Sequence, residues 1–171
     1  MPTDLATIKA LAFDVDGVLT DGGLFWGGNG EEFKRFSFSD IMGISLARRA
    51  GYKLALISGE SSPLVDRYAA KMHIKDVAKG CRDKASALKE FAARHGLDLS
   101  EICFVGDDVN DLSAIRIAGY SAAPANANPE VLRQVKFVSK FNGGHGAVRE
   151  LVDALLAARG LDPEATFHIQ L

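Results

Sequence analysis

Short apolar runs alternate with helix-length amphipathic stretches along this chain, and that alternation restricts the fold more than any other feature. Residues 11–13, 53–57, 102–105 and 120–123 each suit a buried strand, with shorter candidates at 76–78 and 137–139. Capping residues mark the helices between them. Ser39 and Asp40 suit the N-cap of a helix that runs to Ala50 and stops at Gly51. Ser62-Pro63 opens a second helix, to about Met72. Asp83 caps a third, residues 84–95, and Gly96 ends it. A short helix reaches Ala118, another opens at Asn128-Pro129, and residues 147–159 form the last, with Val148, Leu151, Val152, Leu155 and Leu156 on one face. The pattern predicts an α/β fold with a mostly parallel sheet and helices on both faces, joined by right-handed crossovers.

At 171 residues the chain suits one compact domain. Residues 1–160 are read as that domain and 161–171 as a C-terminal tail, whose Phe167, Ile169 and Leu171 are candidates to dock. A formal net charge of −2 gives no electrostatic argument for nucleic acid or an anionic membrane. No apolar run approaches a membrane span, and the first residues lack the basic-then-apolar layout of a secretion signal. Cys81 and Cys103 are far apart and lack metal-type spacing. These features lead us to expect a cytoplasmic protein.

Residues 22–38 interrupt the alternation. Gly22-Gly-Leu-Phe-Trp26 and Glu31-Glu-Phe-Lys-Arg-Phe-Ser-Phe38 flank a glycine–asparagine tip and read as a β-hairpin. Phe25, Trp26, Phe36 and Phe38 make it apolar. They have two possible destinations, the domain's own core or another subunit.

The polar residues of interest stand where apolar runs end. Asp14 and Asp16 follow the first run and precede Gly17. Ser58-Gly59 follows the second, and Asp107, Asp108 and Asp111 follow the fourth. Lys84 begins a helix. In open parallel sheets, ligands gather beyond the carboxyl ends of the strands. Each group alone has a bland reading as turn or solvated helix start. Together they supply several carboxylates, a hydroxyl, an ammonium and free backbone N–H groups, a set that fits phosphoryl transfer. Clustered carboxylates call for a cation, and oxygen-only ligands point to magnesium. Asp14 could attack phosphorus, and Asp16 could shuttle the proton. Ser58, the Gly59 amide and Lys84 could hold the phosphate oxygens.

This constellation resembles the haloacid dehalogenase superfamily of phosphatases. Asp14-Val-Asp16-Gly matches its first motif, Ser58 the second, Lys84 the third and Gly106-Asp-Asp-Val-Asn-Asp111 the fourth. The resemblance implies that Asp14 is the nucleophile and Asp16 the acid and base. It implies Mg²⁺ held by the side chains of Asp14 and Asp107 and the backbone carbonyl of Asp16, with Asp108 and Asp111 supporting that shell. Val18 departs from the threonine common after the first motif's glycine.

Residues 14–22, Asn29-Gly-Glu-Glu32 and Gly143-Gly-His-Gly-Ala-Val-Arg-Glu150 are similar to one capless subfamily. It contains the 3-deoxy-octulosonate 8-phosphate phosphatases and their relatives acting on nonulosonate 9-phosphates. That likeness implies a sugar-acid phosphate substrate and a homotetramer, with the hairpin at the subunit contact and no cap domain. It places Ser39 and Asp40 on the sugar side of the site. Octulosonate phosphatases typically carry arginine where this chain has Glu60. Lys71 follows eleven residues later, so the two are expected to share a helix face. Glu60 and Lys71 together favour a nonulosonate 9-phosphate, with octulosonate 8-phosphate as the alternative. Two other readings are a non-catalytic oligomerisation module of a sugar-acid cytidylyltransferase and a magnesium-binding phospho-receiver. Retention of Asp14, Asp16, Lys84 and Asp107 argues against the module, and Asp16 against the receiver.

Overall fold

The computed structural model describes residues 4–170. Its centre is a parallel six-stranded sheet. In chain order its strands are β1 (Ala10–Phe13), β4 (Lys53–Ile57), β5 (Asp76–Ala78), β6 (Ile102–Val105), β7 (Tyr120–Ala123) and β8 (Phe137–Val138). The spatial order is β5-β4-β1-β6-β7-β8. Between β1 and β4 the chain makes an antiparallel pair, β2 (Phe25–Trp26) and β3 (Glu32–Phe33). The helices are α1 (Phe38–Arg49), α2 (Pro63–Met72), α3 (Lys84–His95), α4 (Leu112–Ile117), α5 (Pro129–Leu132), α6 (Ala147–Ala158) and α7 (Pro163–Phe167).

Alternation along the strands divides the core into two apolar layers. Leu11 and Phe13 of β1, Leu54 and Leu56 of β4, and Cys103 and Val105 of β6 pack with α1, α2 and α6. Ala10, Ala12, Ala55, Ile57, Ile102 and Phe104 face the other way, onto α3, α4 and α5. Leu11 is paired with Leu54 on one side and Cys103 on the other, so one register lines up each layer. Helices therefore cover both faces. That is why the strands read as continuous apolar runs.

One sequence expectation needs correction, and two that were open are decided. The N-cap of α1 is Ser37, whose hydroxyl accepts from the Ser39 N–H; Ser39 and Asp40 lie inside the helix. The tail is not loose where it is described. α7 packs against α1, Thr166 is buried, and the Arg49 guanidinium lies 5.3 Å from the Phe167 ring centroid while donating to the Ile169 carbonyl. Arg49 thus clamps the tail, and Leu171 lies outside the described residues. The hairpin aromatics divide between their two expected destinations. Phe36 stacks on Tyr68 at 4.4 Å and joins the core, whereas Phe25, Trp26, Phe33 and Phe38 remain exposed.

No helix among the described residues is long and apolar enough to cross a membrane.

Candidate active site

Because β1 lies between β4 and β6, the segments that follow these three strands converge. They form one cleft of about 450 Å³, lined by Asp14, Asp16, Gly17, Gly22, Gly59, Glu60, Asp107, Asp108 and Asn110. Most of these residues come from the three strand ends picked out in the sequence.

Asp14 forms the closed end. Its Oδ1 accepts from the Val15 N–H at 2.7 Å, and its Oδ2 lies 2.9 Å from Lys84 Nζ. Lys84 is almost fully buried at the start of α3 and also donates to Asp111 Oδ1 at 2.6 Å. Asp111 is fully buried, and its Oδ2 accepts from the N–H groups of Asp107 and Asp108. Its lone pairs are thus committed to holding the β6 loop. Gly17 lets Asp107 come close: a Cβ at that position would lie 2.1 Å from Asp107 Oδ2. Its φ of +82° also suits glycine alone.

Carboxylate oxygens of Asp14, Asp107 and Asp111 lie within 4.8 Å of one another. Burial, then Asp111, raises the Asp14 carboxyl to about 7 despite Lys84. Burial, then Asp14, Asp111 and Asp108, raises Asp107 to about 7 as well. Burial alone would lower the Lys84 ammonium, but Asp14 and Asp111 outweigh it and hold it charged. One buried lysine therefore serves three crowded carboxylates. That excess of negative charge, carried on oxygen donors only, fits a hard divalent cation such as magnesium.

Asp16 sits on the open side. Its Oδ1 lies 2.8 Å from Lys34 Nζ, an ammonium whose side chain is only 5 % exposed. Lys34 was not singled out from the sequence. Its signal was the period-two alternation after the hairpin tip, where Glu32, Lys34 and Phe36 turn inward and Glu31, Phe33 and Arg35 face solvent. The sequence reading used Gly143-Gly144 only as part of a subfamily likeness and gave it no role at the site. A Cβ on Gly143 would lie 1.8 Å from the Gly17 carbonyl oxygen, and the Gly144 N–H donates to the Val18 carbonyl. This loop braces the turn that carries Asp16.

Of the other expected site residues, Ser39, Asp40, Ser58, Glu60 and Lys71, Glu60 alone lines the cleft. Ser58 is fully buried behind Gly59, and its Oγ accepts from the Glu60 N–H at 3.1 Å. Asp40 is fully buried, with its carboxylate accepting from the Gly146 and Arg149 N–H groups. It anchors the glycine loop to α1 and presents nothing to the cleft. Ser39 is exposed on α1, outside the cleft lining. Glu60 lines the cleft but precedes α2, which starts at Pro63, so Glu60 and Lys71 share no helix face. Lys71 lies at the far end of α2, roughly 12 Å along the axis. Its ammonium rests 5.8 Å from the Phe38 ring centroid.

The family described as haloacid dehalogenase-like hydrolase matches residues 69–151. The 3-deoxy-D-manno-octulosonate 8-phosphate phosphatase of Escherichia coli K12 is 36% identical over 158 residues, 92% of this chain and 84% of that protein. The crystal structure of the Moraxella catarrhalis 3-deoxy-D-manno-octulosonate 8-phosphate phosphatase, in complex with magnesium, phosphate and KDO, superposes with a TM-score of 0.89. It is 35% identical and covers 91% of this chain and 90% of its own. A subfamily III A hydrolase structure from Legionella pneumophila gives 0.91 at 38% identity, covering 95% and 88%. The chain belongs to the haloacid dehalogenase-like hydrolases, in the capless branch of the octulosonate 8-phosphate phosphatases, and is a phosphoric monoester hydrolase.

Proposed function

We propose that this chain is a magnesium-dependent phosphatase that hydrolyses the phosphate monoester of a 2-keto-3-deoxy sugar acid through an aspartyl-phosphate. One observation carries the reading: Lys84 and the Val15 N–H fix Asp14 at the closed end of a cleft whose open side holds a second carboxylate, Asp16. An Asp14 oxygen forms a bond to phosphorus as the ester P–O bond breaks. Asp16 gives its proton to the departing alcohol oxygen. It then takes a proton from the water that displaces Asp14 from phosphorus, which returns free Asp14 and inorganic phosphate. The Gly59 N–H on the cleft lining holds a phosphoryl oxygen, while Ser58 fixes that turn from behind and Lys84 supplies positive charge behind Asp14. The side chains of Asp14 and Asp107 and the backbone carbonyl of Asp16 would hold magnesium, which would supply charge neutralisation. Asp108 and Asp111 support those ligands.

Among sugar acids, we favour a nonulosonate 9-phosphate. Glu60 on the cleft wall disfavours a substrate carboxylate close by and favours a longer polyol arm. The names of the relatives favour octulosonate 8-phosphate, which is the second reading. The exposed hairpin aromatics support a homotetramer, in which Lys71 would serve a neighbouring subunit's cleft. Two unpaired cysteines accord with a cytoplasmic setting. Phosphate release from eight- and nine-carbon sugar-acid phosphates, by wild type and Glu60→Arg, tests the specificity. Wild type should prefer the nine-carbon substrate, and Glu60→Arg should move the ratio toward the eight-carbon one by about tenfold, or about 1.4 kcal/mol. An unchanged ratio would remove Glu60 from the account.

A further inference from the structure

We infer that Lys34 is the positioning residue of the acid/base, fixing Asp16 so that one carboxylate oxygen is held and the other is free to carry the proton. The inference rests on the assignment of Asp16 as acid and base. Lys34 lies in the hairpin segment, outside all four of the motifs that supply the other charged groups.

Two buried lysines lie behind the cleft wall, each engaged with one of the two reacting carboxylates. Lys84 holds Asp14, and Lys34 Nζ lies 2.8 Å from Asp16 Oδ1. Asp16 needs such a partner more than Asp14 does. Asp14 ends a strand and is tied by its neighbour's N–H, whereas Asp16 stands in a turn with its side chain about one-third exposed. An exposed carboxylate on a turn samples several rotamers, and ordering it costs entropy at each turnover. Lys34 contacts Oδ1 alone. Among the described residues no donor is found for Oδ2, which is therefore the oxygen left to exchange a proton with the leaving alcohol and then with water.

Lys34 is itself braced. Its Nζ lies 3.6 Å from Glu32 Oε1, which accepts from Ser62 Oγ at 2.7 Å. Ser62 also caps α2 through the Leu64 N–H. Burial alone would lower the Lys34 ammonium, but Asp16, Glu32 and Glu60 outweigh that effect and keep it charged. A rigid line thus runs from the α2 N-terminus through the hairpin to Asp16. Nothing in it touches Asp14 or Asp107.

First-turnover kinetics with two leaving groups separate this role from general support. p-Nitrophenolate departs without a proton, whereas a sugar alkoxide requires one. With Lys34→Met, release of the sugar alcohol from 3-deoxy-octulosonate 8-phosphate in the first turnover should slow by about 10- to 100-fold, part of the 10²–10⁴ that general acid catalysis contributes. The p-nitrophenolate burst should slow less than about threefold. Lys34→Arg should restore part of the sugar-phosphate rate, and Lys34→Met should cost little more once Asp16→Asn is present. Equal slowing of both substrates would make Lys34 merely structural and overturn the inference. So would a raised KM with kcat intact, which would make it a substrate contact. If wild type turned over neither substrate with magnesium, the phosphatase reading itself would fall.

Discussion

Asp14 and Asp107 are the residues at which charge crowding becomes measurable. Both carboxyls are raised to about 7, well above the value of about 3.9 for an unfolded chain. Between about pH 4 and 7 the native state therefore keeps protons that the unfolded chain has lost. The contribution of these two groups to native stability falls as pH rises through that window and levels off above 7. Magnesium competes with those protons, so its stabilising effect should grow across the same range. At a hundredfold excess over Kd, bound magnesium contributes about 2.7 kcal/mol, or roughly 5–10 °C in Tm for a domain of this size. We expect that gain at pH 8, a clearly smaller one at pH 5.5, and loss of most of it in Asp107→Asn. Thermal scans with and without magnesium provide the check, and equal gains at both pH values would contradict the account.

At the scale of elements, the connection between α1 and the glycine loop runs through Asp40. Its two oxygens accept from two backbone N–H groups in the interior, each such charged hydrogen bond contributing about 1.5–3 kcal/mol. Asp40→Ala should lower stability by about 2–4 kcal/mol and leave the KM of the folded fraction unchanged, as chemical denaturation paired with kinetics would show. A raised KM with stability intact would restore Asp40 to the sugar side. Most elements were legible because their signals are local. Ser62-Pro63, Asp83 with Gly96, and Asn128-Pro129 sit at the helix ends they announced. The cap of α1 was misplaced because Ser37 and Ser39 are equally good caps by type, and only the turn of the preceding chain selects Ser37. The three strand-end groups and Lys84 were legible because polar residues stood together where apolar runs end or a helix begins. The contributions of Lys34, Gly143 and Asp40 were not, because each acts on a partner distant in sequence. The shared helix face imagined for Glu60 and Lys71 failed at Pro63, where α2 begins.

At the scale of the whole molecule, the hairpin leaves Phe25 and Trp26 largely exposed, Trp26 by 76%, and Phe38, the first residue of α1, is exposed too. Faces of that character normally meet a partner. We expect light scattering to give a tetramer for wild type, and a smaller species of lower specific activity for Phe25→Glu/Trp26→Glu. A monomeric wild type would contradict the assembly. The same segment carries Lys34 to Asp16, so the proposed assembly and the proposed proton transfer would meet in one excursion. The central claim is narrower: phosphate passes through Asp14. Rapid quenching of the magnesium-loaded enzyme during turnover, followed by mass spectrometry of its peptides, tests it most directly. The account predicts one phosphoryl group on the peptide bearing Asp14, and neither adduct nor turnover in Asp14→Asn. Phosphate release by Asp14→Asn at the wild-type rate, with that peptide unmodified in wild type, would contradict it.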